Sequence, residues 1–124
     1  MKTRQPEGQA SGEATKYTLC WNKDPQAQAL RVEMADGSFL VLPYDHLGFV
    51  KFEPQKDGDL VHVFLSTHDI EIRGMNLREL GFAFQKCAVD WVRALPARSS
   101  PRADDDYVWI KSIMVHEAQR SVVC

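Results

Sequence analysis

The sequence predicts an α+β domain: an antiparallel β-meander of about five to six strands, one long amphipathic helix and a final C-terminal strand. Three observations carry that reading. Short runs of alternating apolar and polar residues are separated by turn dipeptides. A longer run over residues 77–95 repeats its apolar side chains at three- and four-residue spacing, and a further alternating run follows at residues 107–116.

The chain has 124 residues, 44% of them hydrophobic and 26% charged, which fits one water-soluble domain with a single core. Residues 1–15 are rich in Gln, Gly, Glu, Ser and Pro and lack aliphatic β-branched side chains. They bury too little to offset the entropy of ordering and read as a flexible N-terminal tail. The expected domain runs over residues 16–117, with a short C-terminal tail at 118–124.

Residues 17–21 form the first strand candidate, closed by a turn at Asn22 to Gln26. Leu30, Val32 and Met34 then alternate with Arg31 and Glu33, the pattern of a strand with one buried and one wet face. Asp36-Gly37 predicts a type I′ hairpin turn with positive φ at both residues, pairing the next strand, residues 38–42, antiparallel. Pro43 cannot donate to a ladder and ends that strand. Residues 49–53 and 60–65 flank a second hairpin signal, Asp57-Gly58, and a third reversal at residues 66–69 leads into Ile70-Glu71-Ile72.

Asn76, with Glu79 three residues on, has the form of a helix N-cap. Leu77, Leu80, Phe84, Cys87, Ala88, Trp91 and Leu95 lie on one helical face and Pro96 closes the run, which predicts a helix over 77–95. Residues 97–106, with Pro, Ser, Arg and three consecutive aspartates, read as a flexible, solvated loop.

Three strands are apolar on both faces: Phe39 and Val41 oppose Leu40 and Leu42, Val61 and Val63 oppose Leu60 and Phe64, and Trp109 opposes Val108 and Ile110. One helix covers only one side of a sheet, so the second side needs another cover, by curling into a partial barrel or by a second copy of the chain. Contiguous exposed apolar surface marks interfaces, which makes a homodimer the expected assembly, with Tyr107 and Trp109 as its anchors.

Charge and motifs narrow the function classes. Fifteen basic and seventeen acidic residues give a net charge of -2, so no overall field draws in nucleic acid or an acidic membrane. Arg78, Lys86 and Arg93 on the expected helix read as a solvated face. No signal-peptide core opens the chain and no run of roughly 18 apolar residues occurs, so a cytoplasmic protein without membrane contact is expected. Cys20, Cys87 and Cys124 form no C-x-x-C pair and read as reduced thiols. Nucleophile-elbow, phosphate-loop and dinucleotide motifs are missing from the text of the sequence.

The remaining candidates for chemistry are His46, His62 and His68 with Asp45 and Asp69. Asp45-His46 and His68-Asp69 are neighbours in sequence, but neighbours on a strand point to opposite faces. No spacing among them, His116 or the aspartates 104–106 suits a metal, so neither a metal nor a cofactor is expected. The function expected is that of a small cytosolic binding domain without catalytic activity, using an apolar sheet surface for self-association or to bind a protein or small-molecule partner. The alternative is a ligand binder or enzyme whose pocket between helix and sheet uses those His and Asp side chains.

Overall fold

Alternating side chains produce eight strands in the computed structural model, which describes residues 19–102 and 104–118. They are β1 (Trp21–Lys23), β2 (Ala29–Glu33), β3 (Phe39–Pro43), β4 (Leu47–Gln55), β5 (Gly58–Leu65), β6 (His68–Met75), β7 (Val89–Arg93) and β8 (Trp109–Glu117). One helix, α1 (Arg78–Gln85), lies between β6 and β7. The expected N-terminal tail, Tyr17 and Cys124 lie outside the described residues.

The expected meander is divided between two sheets. β2 and β3 form one antiparallel hairpin, and β4, β5 and β6 form consecutive antiparallel pairs. Between these groups the chain turns a corner through a 3-10 turn, Tyr44–His46, so β3 and β4 become edges of different sheets. The orders are β1-β7-β2-β3 and β4-β5-β6-β8. In the first, β7 runs parallel to β2 and antiparallel to β1. Leu30 and Val32 from that sheet share one core with Val61, Val63, Ile70 and Ile72 from the other, and Leu80 and Phe84 of α1 complete it. Each such fully buried side chain contributes about 1.5–3 kcal/mol of transfer free energy. The sheets join where the Leu95 N–H donates to the Ile110 carbonyl at 2.8 Å, just beyond β7.

The helix expected over 77–95 is a correction: it stops at Gln85, and residues 89–93 are a strand. The cause is local. Cys87 takes a left-handed conformation (φ 52°), and the amides of Cys87 and Ala88 donate back to Phe84 O and Ala83 O, both at 2.9 Å. That is a Schellman stop, with cysteine in the place usually held by glycine. Beyond it, Val89 and Val92 are buried and Trp91 pairs with both Asn22 and Arg31.

The start of the helix also differs. Asn76 has φ 60°, and its side-chain amide donates to Tyr107 O (3.0 Å) and Asp105 O (3.3 Å), tying down the chain before β8. The first helical turn is capped from another strand: Asp59 Oδ2 accepts the Leu77 N–H at 3.0 Å. A carboxylate at that end also faces the positive pole of the helix.

The first hairpin turn is not type I′. Among its residues only Gly37 has positive φ, at 91°, and its N–H donates to Met34 O at 3.1 Å. Asp36 instead accepts the Ser38 hydroxyl (2.6 Å) and amide (2.9 Å), which hold its carboxyl below the usual range.

Close strand contact sets a harder constraint at Gly74. A Cβ there would lie 1.9 Å from the Trp109 carbonyl oxygen, beside the irregularity in the β6–β8 register. Gly74→Ala must push two backbones apart, and we expect it to cost about 3 kcal/mol, the upper end of overpacking penalties, measured by urea denaturation at neutral pH.

Candidate functional site

The residues singled out for chemistry are spread over several places. Asp45 and His46 are exposed on the corner turn and line a depression of about 330 Å³ with Phe49, Phe64 and Ser66. Their meeting there follows from being neighbours in the chain. His62 lies on the outer face of the second sheet, stacked on Phe64 at 4.3 Å between ring centres, and Phe64 stacks in turn on Phe49, also at 4.3 Å. His68 Nδ1 sits 2.8 Å from the Thr67 hydroxyl. Asp69 is half-buried and opposite His116 in the β6–β8 ladder. His62, His68 and Asp69 do not line the depression that holds Asp45 and His46.

A grouping not foreseen centres on Glu71. Its Oε1 pairs with Arg73 at 3.1 Å, while its Oε2 lies 3.4 Å from His116 Nε2 and 4.0 Å from His62 Nε2. Strand pairing creates it, because His62 is directly across from Glu71 and His116 is two residues along β8 from Met114, the partner of Glu71 on that strand. The arginine already neutralises the carboxylate, and ion pairs this open to solvent contribute at most about 1 kcal/mol. Among the described residues, no three His, Cys, Asp or Glu side chains are placed to hold a metal ion.

The two expected interface anchors differ in exposure. Trp109 is only 6% exposed, in contact with the backbone of β6. Tyr107 is half-buried and its hydroxyl donates to Ser99 O at 3.0 Å. The sequence pattern placed both on an apolar strand; β8 begins only at Trp109, which is buried.

Exposed apolar surface lies elsewhere. On the outer face of the first sheet, Phe39 and Val41 of β3 are 58% and 55% exposed. Beside them the Arg31 guanidinium sits 6.0 Å from the Phe39 ring centre and 5.9 Å from that of Trp91, with Arg93 over the other part of Trp91 at 4.9 Å. Glu33 holds both arginines, at 3.0 Å and 3.8 Å. The result is a layered face in which cations cover aromatic rings, each contact contributing about 0.5–1 kcal/mol at an exposed site. The doubly apolar pattern of residues 39–42 signalled the Phe39 and Val41 part; the Trp91 part was hidden because β7 reads as helix.

Another concavity, of about 410 Å³, lies between α1 and β4. Phe49, Phe52 and Phe82 dominate its wall, Arg78 stands at its side, and none of the five candidate His and Asp residues lines it. No helix among the described residues is long and apolar enough to cross a membrane. Comparison of the chain with models of known protein families, with curated proteins and with solved structures gives no match.

Two titratable groups are locked into the framework rather than into these surfaces. Burial pushes the Cys20 thiol up, and its Sγ donates to Val108 O at 3.4 Å. Burial likewise pushes the Tyr44 phenol well up, while its hydroxyl donates to Val89 O at 2.5 Å and pins the corner turn to β7. A folded-state value above the unfolded one, near 10 for tyrosine, means the contribution is complete below about pH 10 and is lost as pH rises beyond it. We expect Tyr44→Phe to cost about 1 kcal/mol at neutral pH. Between neutral pH and about pH 11 the variant should lose less stability than the parent in urea unfolding; equal losses would show that Tyr44 does not govern the alkaline limit.

Proposed function

We propose that this chain is a non-catalytic interaction domain that works in the cytoplasm and self-associates through the edge and outer face of β3. The observation that carries the reading is the composition of the sheet edges. Exposed strand edges recruit further strands unless they are short, charged, broken by proline or covered. β1 has three residues and ends in Lys23; β4 carries Lys51, Glu53 and Pro54 and is flanked by α1; β8 carries Lys111, His116 and Glu117. β3, Phe-Leu-Val-Leu-Pro, has no charge along its length and carries its proline only at the last position, and its Phe39 and Val41 side chains stand in solvent.

A second copy is the partner that fits this edge. Antiparallel pairing of β3 with its own copy about Val41 sets each Phe39 opposite the partner's Pro43 and joins two four-stranded sheets into one. The Arg31–Trp91 layer then borders the contact as a polar, aromatic rim. The buried thiol of Cys20 suits a reducing compartment.

Sedimentation of the full chain across a concentration series tests this. A monomer–dimer equilibrium is expected, with Val41→Lys weakening dimerisation at least tenfold while its circular dichroism stays that of the parent. A parent chain that remains monomeric throughout the series overturns the reading.

A further inference from the structure

The groove between α1 and β4 has a geometry that the β3 contact does not use. From the strand it is lined by Leu47, Gly48, Phe49 and Val50 in succession, then Phe52. A register irregularity between Leu47 and Phe49 interrupts the alternation of side chains there, and with Val50 and Phe52 the lining follows the margin of the strand beside α1. Among the described residues β4 pairs only with β5 and stands at the end of the strand order. The opposite wall is one face of the helix: Arg78, Gly81, Phe82 and Gln85 recur at helical spacing.

We propose that this groove binds an extended segment of another protein, added as a further strand to β4, with apolar side chains between Phe49, Phe52 and Phe82 and a carboxylate on Arg78. The row of backbone donors and acceptors along an open edge matches another extended backbone better than a compact ligand. Charge supplies the acidic requirement. Among the described residues, Arg78 is the one charged side chain lining the groove and it forms no ion pair; its guanidinium lies 4.7 Å over the Phe52 ring.

The charges and the proline that guard β4 against another sheet, Lys51, Glu53 and Pro54, lie outside the groove lining, which follows Leu47 to Val50 and Phe52, and this separates the site from the β3 contact. Pro54 has no N–H, so pairing runs along the part of β4 before it. Gly81 keeps the helical wall low: a Cβ there would meet Phe52 at 3.8 Å, ordinary contact, so a large side chain would fill the groove without a backbone clash.

A phage-displayed library of random peptides, panned on the full chain, tests the proposal, with enriched sequences remade synthetically for fluorescence anisotropy. The expected binders alternate apolar residues around Asp or Glu and lose at least tenfold in affinity to Arg78→Glu and to Gly81→Trp. Methylating the peptide's backbone nitrogens at alternate positions should abolish binding, and at the intervening positions leave it intact, a pattern that only strand pairing produces. Amide shifts on binding should fall on Gly48, Phe49 and Val50. Phe82→Glu, at an exposed position, replaces Gly81→Trp if that variant does not fold. No enrichment, binders indifferent to Arg78→Glu, or shifts confined to Phe39, Val41 and Trp91 would overturn the site. Val41→Lys should leave peptide affinity unchanged, so failure of the β3 contact and failure of this groove are read separately.

Discussion

The left-handed turn at Cys87 is the constraint on which the first sheet depends. β1 and β2 do not pair with each other; both pair with β7, which lies between them. β7 exists only because the helix stops within two residues of Gln85, so that Val89 and Val92 can enter the core in an extended chain. A helix spends its backbone N–H and C=O groups on itself, so residues left in helix could not pair with β1 and β2 on either side. A non-glycine residue in this conformation costs about 1–2 kcal/mol. Filling the centre of a sheet, with two ladders of hydrogen bonds, outweighs that cost.

Further ties support the same arrangement from distant parts of the chain. The Tyr44 hydroxyl reaches the Val89 carbonyl, Asp59 caps the helix from β5, and Asn76 holds the carbonyls before β8. Each joins segments that are far apart in sequence, and each satisfies a backbone group that would otherwise be left unpaired as the chain turns. The corner at Tyr44–His46 and the junction at Leu95–Ile110 let one core serve both sheets, so the inner faces need no further cover.

The outer faces are treated differently from one another. The second sheet carries an ion-paired carboxylate with two imidazoles beside stacked rings, with Phe49 and Met114 exposed among them. On the first, guanidinium groups cover Trp91 while β3 keeps uncharged apolar side chains in solvent. The helix leaves a separate, largely apolar channel beside β4 with Arg78 on its wall.

Period-two alternation was enough to place β2, β3, β5, β6 and β8 within a few residues, because a half-buried strand writes its two faces directly into the chain. The apolar character of Phe39 and Val41 was equally legible, and so was an α+β composition. Residues 87–95 were not, since Cys87, Ala88, Trp91 and Leu95 satisfy helical spacing while Val89, Trp91 and Arg93 satisfy strand spacing; only the partners on either side of β7 select between them. The split into two sheets, the inward turn of Trp109, the Glu71 cluster and the groove beside β4 all arise from pairing between segments remote in sequence. Local pattern determines which faces of an element are apolar; what each face meets is decided by packing across the whole chain, where close approaches such as Gly74 against Trp109 permit one register and exclude its neighbours.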